Sequence, residues 1–145
     1  MEKTKAPDLK HLGKKSAFIY DNPDLSSLEW VPNAFCDPGL NKNAVRGTVH
    51  IEAPEFTSLC PITGQPDFGT IVIDYQPHLR CVESKSLKLY LGAFRQLGEF
   101  QENIVNRIAN DLVSLLAPYY LKVEGRFTPR GGIALYPSAE YKKEQ

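Results

Sequence analysis

Apolar and polar residues alternate along two stretches of this chain and recur at helical spacing along two more. In residues 44–51, Val45, Gly47, Val49 and Ile51 alternate with polar neighbours, and residues 69–75 form a β-branched run with the same period. Both are predicted strands, because successive strand residues face opposite sides of a sheet. The intervening stretch 54–68 is rich in Pro, Thr, Ser and Gly. It is too long for a tight hairpin and is predicted to be a functional loop. Downstream, Leu87, Tyr90, Leu91 and Phe94 fall at i, i+3, i+4 and i+7, which predicts a helix over residues 86–95. Phe100, Ile104, Ile108, Leu112 and Leu115 repeat that face, Gly98 separates the two helices and Pro118 ends the second. Residues 120–127 and 132–136 read as two further strands, joined by a turn at Thr128, Pro129, Arg130 and Gly131.

The order strand, strand, helix, helix, strand, strand predicts an α+β fold. Its expected form is an antiparallel four-stranded sheet with two antiparallel helices on one face. One domain is expected over residues 1–145, with a core at 44–137. Ahead of it, residues 1–43 carry Pro7, Pro23, Pro32 and Pro38 and form an irregular lead-in. A four-stranded sheet has two open edges, so closure by neighbouring copies into a ring is also expected.

Composition narrows the partners. Seventeen Lys and Arg balance seventeen Asp and Glu, which removes the usual electrostatic case for nucleic acid or an anionic membrane. No apolar run approaches the ~20 residues that span a bilayer. Three cysteines, Cys36, Cys60 and Cys81, form no CxxC pair, and His11, His50 and His78 are scattered. That pattern fits reduced thiols in a cytoplasm better than a disulfide framework, and offers no metal-ligand set.

Cys60 lies in the long loop with Asp67 seven residues on. A cysteine attacks as its thiolate, so Cys60 is either a nucleophile with Asp67 as proton donor or a small buried hydrophobe. Asp67 could equally cap a turn. Lys85 and Lys88 open the first predicted helix, where free N–H groups suit a phosphate-bearing ligand; an ordinary capped helix with solvated lysines reads the same way. Glu102 either complements the start of the second helix or accepts two donors from a purine-like edge. Arg130 is a solvated turn residue or a phosphate clamp. No GxGxxG or P-loop pattern follows a strand.

In order along the chain, Phe56-Thr57-Ser58-Leu59-Cys60-Pro61, Thr63-Gly64-Gln65-Pro66-Asp67-Phe68, the stretch from Glu83 to Tyr90, and Gly125-Arg126-Phe127-Thr128-Pro129-Arg130-Gly131-Gly132 resemble one family. These blocks are similar to the NADPH-dependent 7-cyano-7-deazaguanine reductases, the QueF family of the queuosine pathway. The resemblance implies the tunnelling fold in its short single-domain form and a homo-oligomer of two stacked pentamers with sites between subunits. It implies that Cys60 adds to the nitrile carbon of 7-cyano-7-deazaguanine to give a thioimide, that Asp67 supplies protons, and that two NADPH deliver hydride. Carried across by position, Val82, Glu83, Ser84, Gln101 and Glu102 would bind the substrate, and Lys85, Lys88 and Arg130 the cofactor phosphates. The family usually has histidine where this chain has Gln101, and glutamine cannot exchange a proton near neutral pH. That departure keeps in view an amidine-forming transferase of the same fold, acting on a tRNA-bound base; a non-catalytic binding module is the other alternative, should Cys60 be inert.

Overall fold

The computed structural model describes residues 6–144. Four strands, β2 (Val49–Leu59), β3 (Pro66–Gln76), β5 (Tyr120–Phe127) and β6 (Ser138–Lys142), form an antiparallel sheet in the spatial order β2-β3-β5-β6. Helices α1 (Ser84–Gly92) and α2 (Gln101–Leu116) separate the two strand pairs in sequence, as the periodicity predicted. A second, two-stranded sheet joins β1 (Trp30–Pro32) to β4 (Arg80–Val82). The alternation gave no warning of this pair, because a three-residue strand is too short to show a period.

Register explains the core. Ile71, Ile73 and Tyr75 of β3 lie opposite Gly125, Val123 and Leu121 of β5, all on one face. Against that face α1 presents Leu87, Tyr90 and Leu91, and α2 presents Ile104, Ile108 and Leu112, every one of them buried. The Tyr90 hydroxyl donates to Asp111 Oδ2 at 2.6 Å and ties the helices together. Burial of the ring, added to the neighbouring Asp111 carboxylate, raises the Tyr90 phenol far above its ordinary range, so this bond keeps its proton at any working pH. The opposite face of the sheet is polar, with His50, Glu52, Asp74 and Arg126 among its exposed or half-buried side chains.

Three boundaries differ from the sequence reading. The first strand begins at Val49 and continues to Leu59, absorbing half of the expected loop. Pro54 has no N–H to give, but β2 is an edge strand, and a slip of register between Ala53 and Phe56 accommodates the proline as a bulge. The loop therefore shrinks to residues 60–65, and Asp67 belongs to β3. The last strand is Ser138–Lys142, not 132–136, so the sheet runs past residue 137. Gly131 (φ +58°) and Gly132 (φ +79°) fold the chain into a tight turn in which Arg130 and Ile133 exchange backbone hydrogen bonds at 3.0 Å, and pairing resumes only beyond it. Ahead of the sheet, the described residues of the lead-in carry short 3₁₀ turns at Leu25–Ser27 and Ala34–Cys36 and contribute Leu28 to the core.

Candidate active site

The turn after β2 is built to hold a side chain at its first residue. Cys60 N–H donates to Gln65 O at 2.8 Å, and Gly64 N–H donates back to Cys60 O at 2.9 Å. Gly64 sits at φ +70°, a left-handed conformation that glycine adopts without a Cβ clash. Beyond the turn, Leu59 N–H donates to Leu97 O and Glu99 N–H to Leu59 O. This bridge brings the segment before α2 beside the cysteine: a Cβ added at Gly98 would lie 3.4 Å from Pro61 Cα. One short connection thus gathers Cys60 and the first residues of α2.

Cys60 is only 9% exposed. Burial alone would push a thiol upward, but its thiolate is offered hydrogen bonds, first by the Thr63 hydroxyl and then by the N–H groups of Thr63 and Ile62, with Arg130 adding a weaker contribution. Together these pull the thiol down to about 7, so close to half of it is thiolate at neutral pH. Thr63 Oγ1 also accepts from Gln65 N–H at 3.2 Å, which orients it within the turn. A nucleophile that is partly ionised yet sheltered can attack an electrophilic carbon.

Asp67, 3% exposed, comes from the facing strand. Arg130 Nε lies 3.1 Å from its Oδ1 as an ion pair without hydrogen-bond alignment. Arg130 therefore joins the cysteine end of the molecule, apart from Lys85 and Lys88. Gln101, 5% exposed, lines a cleft of about 210 Å³ with Thr128, Arg130, Ile133 and Leu135, and its Oε1 has no partner among the described residues. Glu102 follows it in the first turn of α2, exposed to solvent. Around these groups Ile62, Phe68, Phe100 and Ile133 stand exposed and form an apolar rim.

The remaining expected residues form a second cluster. Val82 N–H donates to the Tyr75 hydroxyl at 3.1 Å, and Glu83 caps α1, its carboxylate accepting from Lys85 N–H at 2.8 Å and Ser86 N–H at 2.7 Å. Lys85 Nζ donates to the carbonyls of His11 and Lys14. Val82, Ser84 and Lys88 line a groove of about 860 Å³ between α1 and β2, with Arg95 and the stacked rings of Phe18 and Tyr20 at its margin. Tyr75 and Asp67 are eight residues apart on β3, about 26 Å at strand rise. Within one chain Val82 and Glu83 lie by Tyr75, at the far end of the sheet from Asp67, while the groove itself extends along β2 from Val49 to Thr57. The second cluster suits an anionic dinucleotide: Lys88 and Arg95 supply positive charge, and the groove offers an apolar floor and aromatic faces. Sequence reasoning missed Thr63, whose place inside a quoted motif was its only signal, and missed Arg95, Phe18 and Tyr20, which carried none.

Comparison with known proteins follows this geometry. Residues 66–145 match the family described as QueF-like protein. A Streptococcus mutans protein named NADPH-dependent 7-cyano-7-deazaguanine reductase is 48% identical over 141 residues, covering 97% of this chain and 83% of the relative. A protein of the same name from Exiguobacterium sp. is 51% identical over 138 residues, covering 94% and 80%. Another from Neisseria gonorrhoeae is 62% identical over 95 residues, or 66% of this chain, and the match spans 60% of that relative's length. The crystal structure of the archaeosine synthase QueF-Like in the apo form superposes with a TM-score of 0.62 over 68% of this chain and 96% of that one. At 18% identity that likeness shows a shared fold, the tunnelling fold that the sequence resemblance implied. Near-full-length identity of about one half to two relatives, a profile match over the second half, and this common fold agree: the chain belongs to the QueF-like family.

Proposed function

We propose that this protein is an NADPH-dependent nitrile reductase that converts 7-cyano-7-deazaguanine to its aminomethyl counterpart in the cytoplasm. The observation that carries the reading is Cys60, a sheltered thiol drawn down to about 7 with Arg130 between it and the buried Asp67, in a chain that shares 48% identity over 97% of its length with a protein named as that reductase.

Cys60 sulfur adds to the nitrile carbon, and the C≡N bond becomes C=N as the S–C bond forms. Asp67 delivers the proton that the nitrile nitrogen takes up, giving a thioimide held on the protein. NADPH, when bound, would supply hydride, one molecule for each of the two two-electron steps to the amine; after the first, the S–C bond breaks and Cys60 leaves as thiolate, and protons from the site complete the amine. Glu102 accepts donors from the deazaguanine edge, and Gln101 offers its unpartnered Oε1 to a substrate N–H. Arg130 holds the Asp67 carboxylate in place, a different task from the phosphate contact expected of it, while Lys88 remains with the cofactor and Lys85 joins it only on releasing the carbonyls of His11 and Lys14.

Val82, Glu83 and Ser84 lie too far from Cys60 in one chain to share its substrate, so a second copy completes the site. The open edges of β2 and β6 and the apolar rim around Cys60 support a ring of copies, two stacked pentamers by family resemblance.

Mixing the protein with 7-cyano-7-deazaguanine and NADPH should lower absorbance at the nicotinamide band. Without NADPH, intact mass should show a covalent adduct that Cys60→Ala abolishes. Absence of NADPH oxidation in every buffer defeats the reductase reading. An adduct that forms while NADPH stays unconsumed favours the amidine-forming transferase instead.

A further inference from the structure

We infer that Ser58 is a positioning residue for Asp67, its hydroxyl keeping the carboxyl partnered in both protonation states. Ser58 is fully buried, and its Oγ has no hydrogen-bond partner among the described residues. That is rare for a serine, whose hydroxyl ordinarily finds a backbone or side-chain partner when removed from water. In the register of the sheet Ser58 stands directly opposite Asp67. Phe56, two residues before Ser58, and Ile71, four after Asp67, both sit in the core, so alternation points Ser58 and Asp67 to the same helix-facing side. Directly opposed residues on one face have Cβ atoms about 5 Å apart, within reach of one hydrogen bond or of a single bridging water. Asp67 Oδ1 is itself buried and lacks an aligned donor, since Arg130 Nε approaches at 3.1 Å off the bonding direction. Two buried oxygens, one of them a hydroxyl, therefore stand across one register pair with no hydrogen bond yet joining them.

The chemistry favours a hydroxyl there over an amide or a cation. A group that gives up a proton and regains it alternates between carboxylate and carboxylic acid. A hydroxyl donates to the first and, after rotation about its C–O bond, accepts from the second. Arg130 serves only the charged form. With Ser58 opposite, neither state of Asp67 is left bare in a low-dielectric interior, where an unpaired polar group is costly.

Asp67's part in proton delivery rests on the reductase reading; the pairing of Ser58 with Asp67 does not, and two measurements separate them. In turnover, Ser58→Ala should lower kcat and the rate of adduct formation by Cys60 about 10- to 100-fold, the scale of a removed supporting partner, with KM nearly unchanged. Ser58→Thr, which keeps the hydroxyl, should recover most of kcat. In urea unfolding, a cycle of Ser58→Ala, Asp67→Ala and the double variant should show coupling of about 3- to 10-fold in the unfolding constant. Additive effects in the cycle, or an unchanged kcat in Ser58→Ala, overturn the inference. If the unaltered protein oxidises no NADPH, the reductase reading fails by itself and the cycle still decides the pairing.

Discussion

Thr63 does more for the nucleophile than any other single side chain, and it does so from within the same turn. Its hydroxyl and N–H both favour the Cys60 thiolate, while Gln65 N–H holds the hydroxyl in place. A thiol near 7 is about half ionised at pH 7, whereas an ordinary one near 8.5 is only a few per cent ionised. Alkylation of Cys60 by iodoacetamide, followed by intact mass, should therefore rise with pH to a midpoint near 7. Thr63→Val removes the largest contribution and leaves two backbone donors, so the midpoint should move upward and the rate at pH 7 fall several-fold. At pH 10 the two proteins should react alike, because both thiols are then ionised. An unmoved midpoint would show that the backbone donors suffice. None of this was legible in the sequence, since a hydrogen bond to sulfur depends on the φ of Gly64 and the closure at Gln65. Cys60 and Asp67 were visible as residues, but the spacing that drew attention to them placed both in one loop. In the structure Cys60 opens the turn after β2 and Asp67 lies on β3, and Arg130 is the side chain that reaches towards both.

Helix α2 ends on Ala117, which adopts φ +44° in the left-handed cap and is exposed. An L-residue with a Cβ pays about 1–2 kcal/mol there, and a glycine would be free of that clash. Ala117→Gly loses little packing, and part of the relief is offset by the greater freedom of glycine in the unfolded chain. The expected net is a stabilisation of about 1 kcal/mol, read as a higher urea midpoint at unchanged slope. Both helices were legible from periodicity, to within two or three residues at each end, because each buries one continuous face. Helix α1 was placed two residues late, since its start is set by the Glu83 carboxylate and an N-cap glutamate is an uncommon signal. The strands were less legible. Pro54 and the two glycines at 131 and 132 read as loop residues in isolation, yet an edge strand absorbs the first while the others delay a strand that does form.

At the scale of the whole molecule, a sheet with edges β2 and β6 unpaired and an apolar rim at one end fits the ring assembly proposed above. Sedimentation should give a mass several times that of one 16.3 kDa chain, and a mass equal to one chain would exclude ring assembly. The span of about 26 Å along β3 between Asp67 and Tyr75 has a genetic consequence. If each working site takes Cys60 from one copy and the Glu83 cluster from another, two lesions at opposite ends need not fall in the same site. Cys60→Ala and Lys88→Ala proteins, each inactive alone, should regain activity when unfolded together and reassembled as a mixture. Equal amounts leave about a quarter of the sites with both ends intact. A single polypeptide carrying both lesions should stay silent, which distinguishes complementation between copies from repair within one.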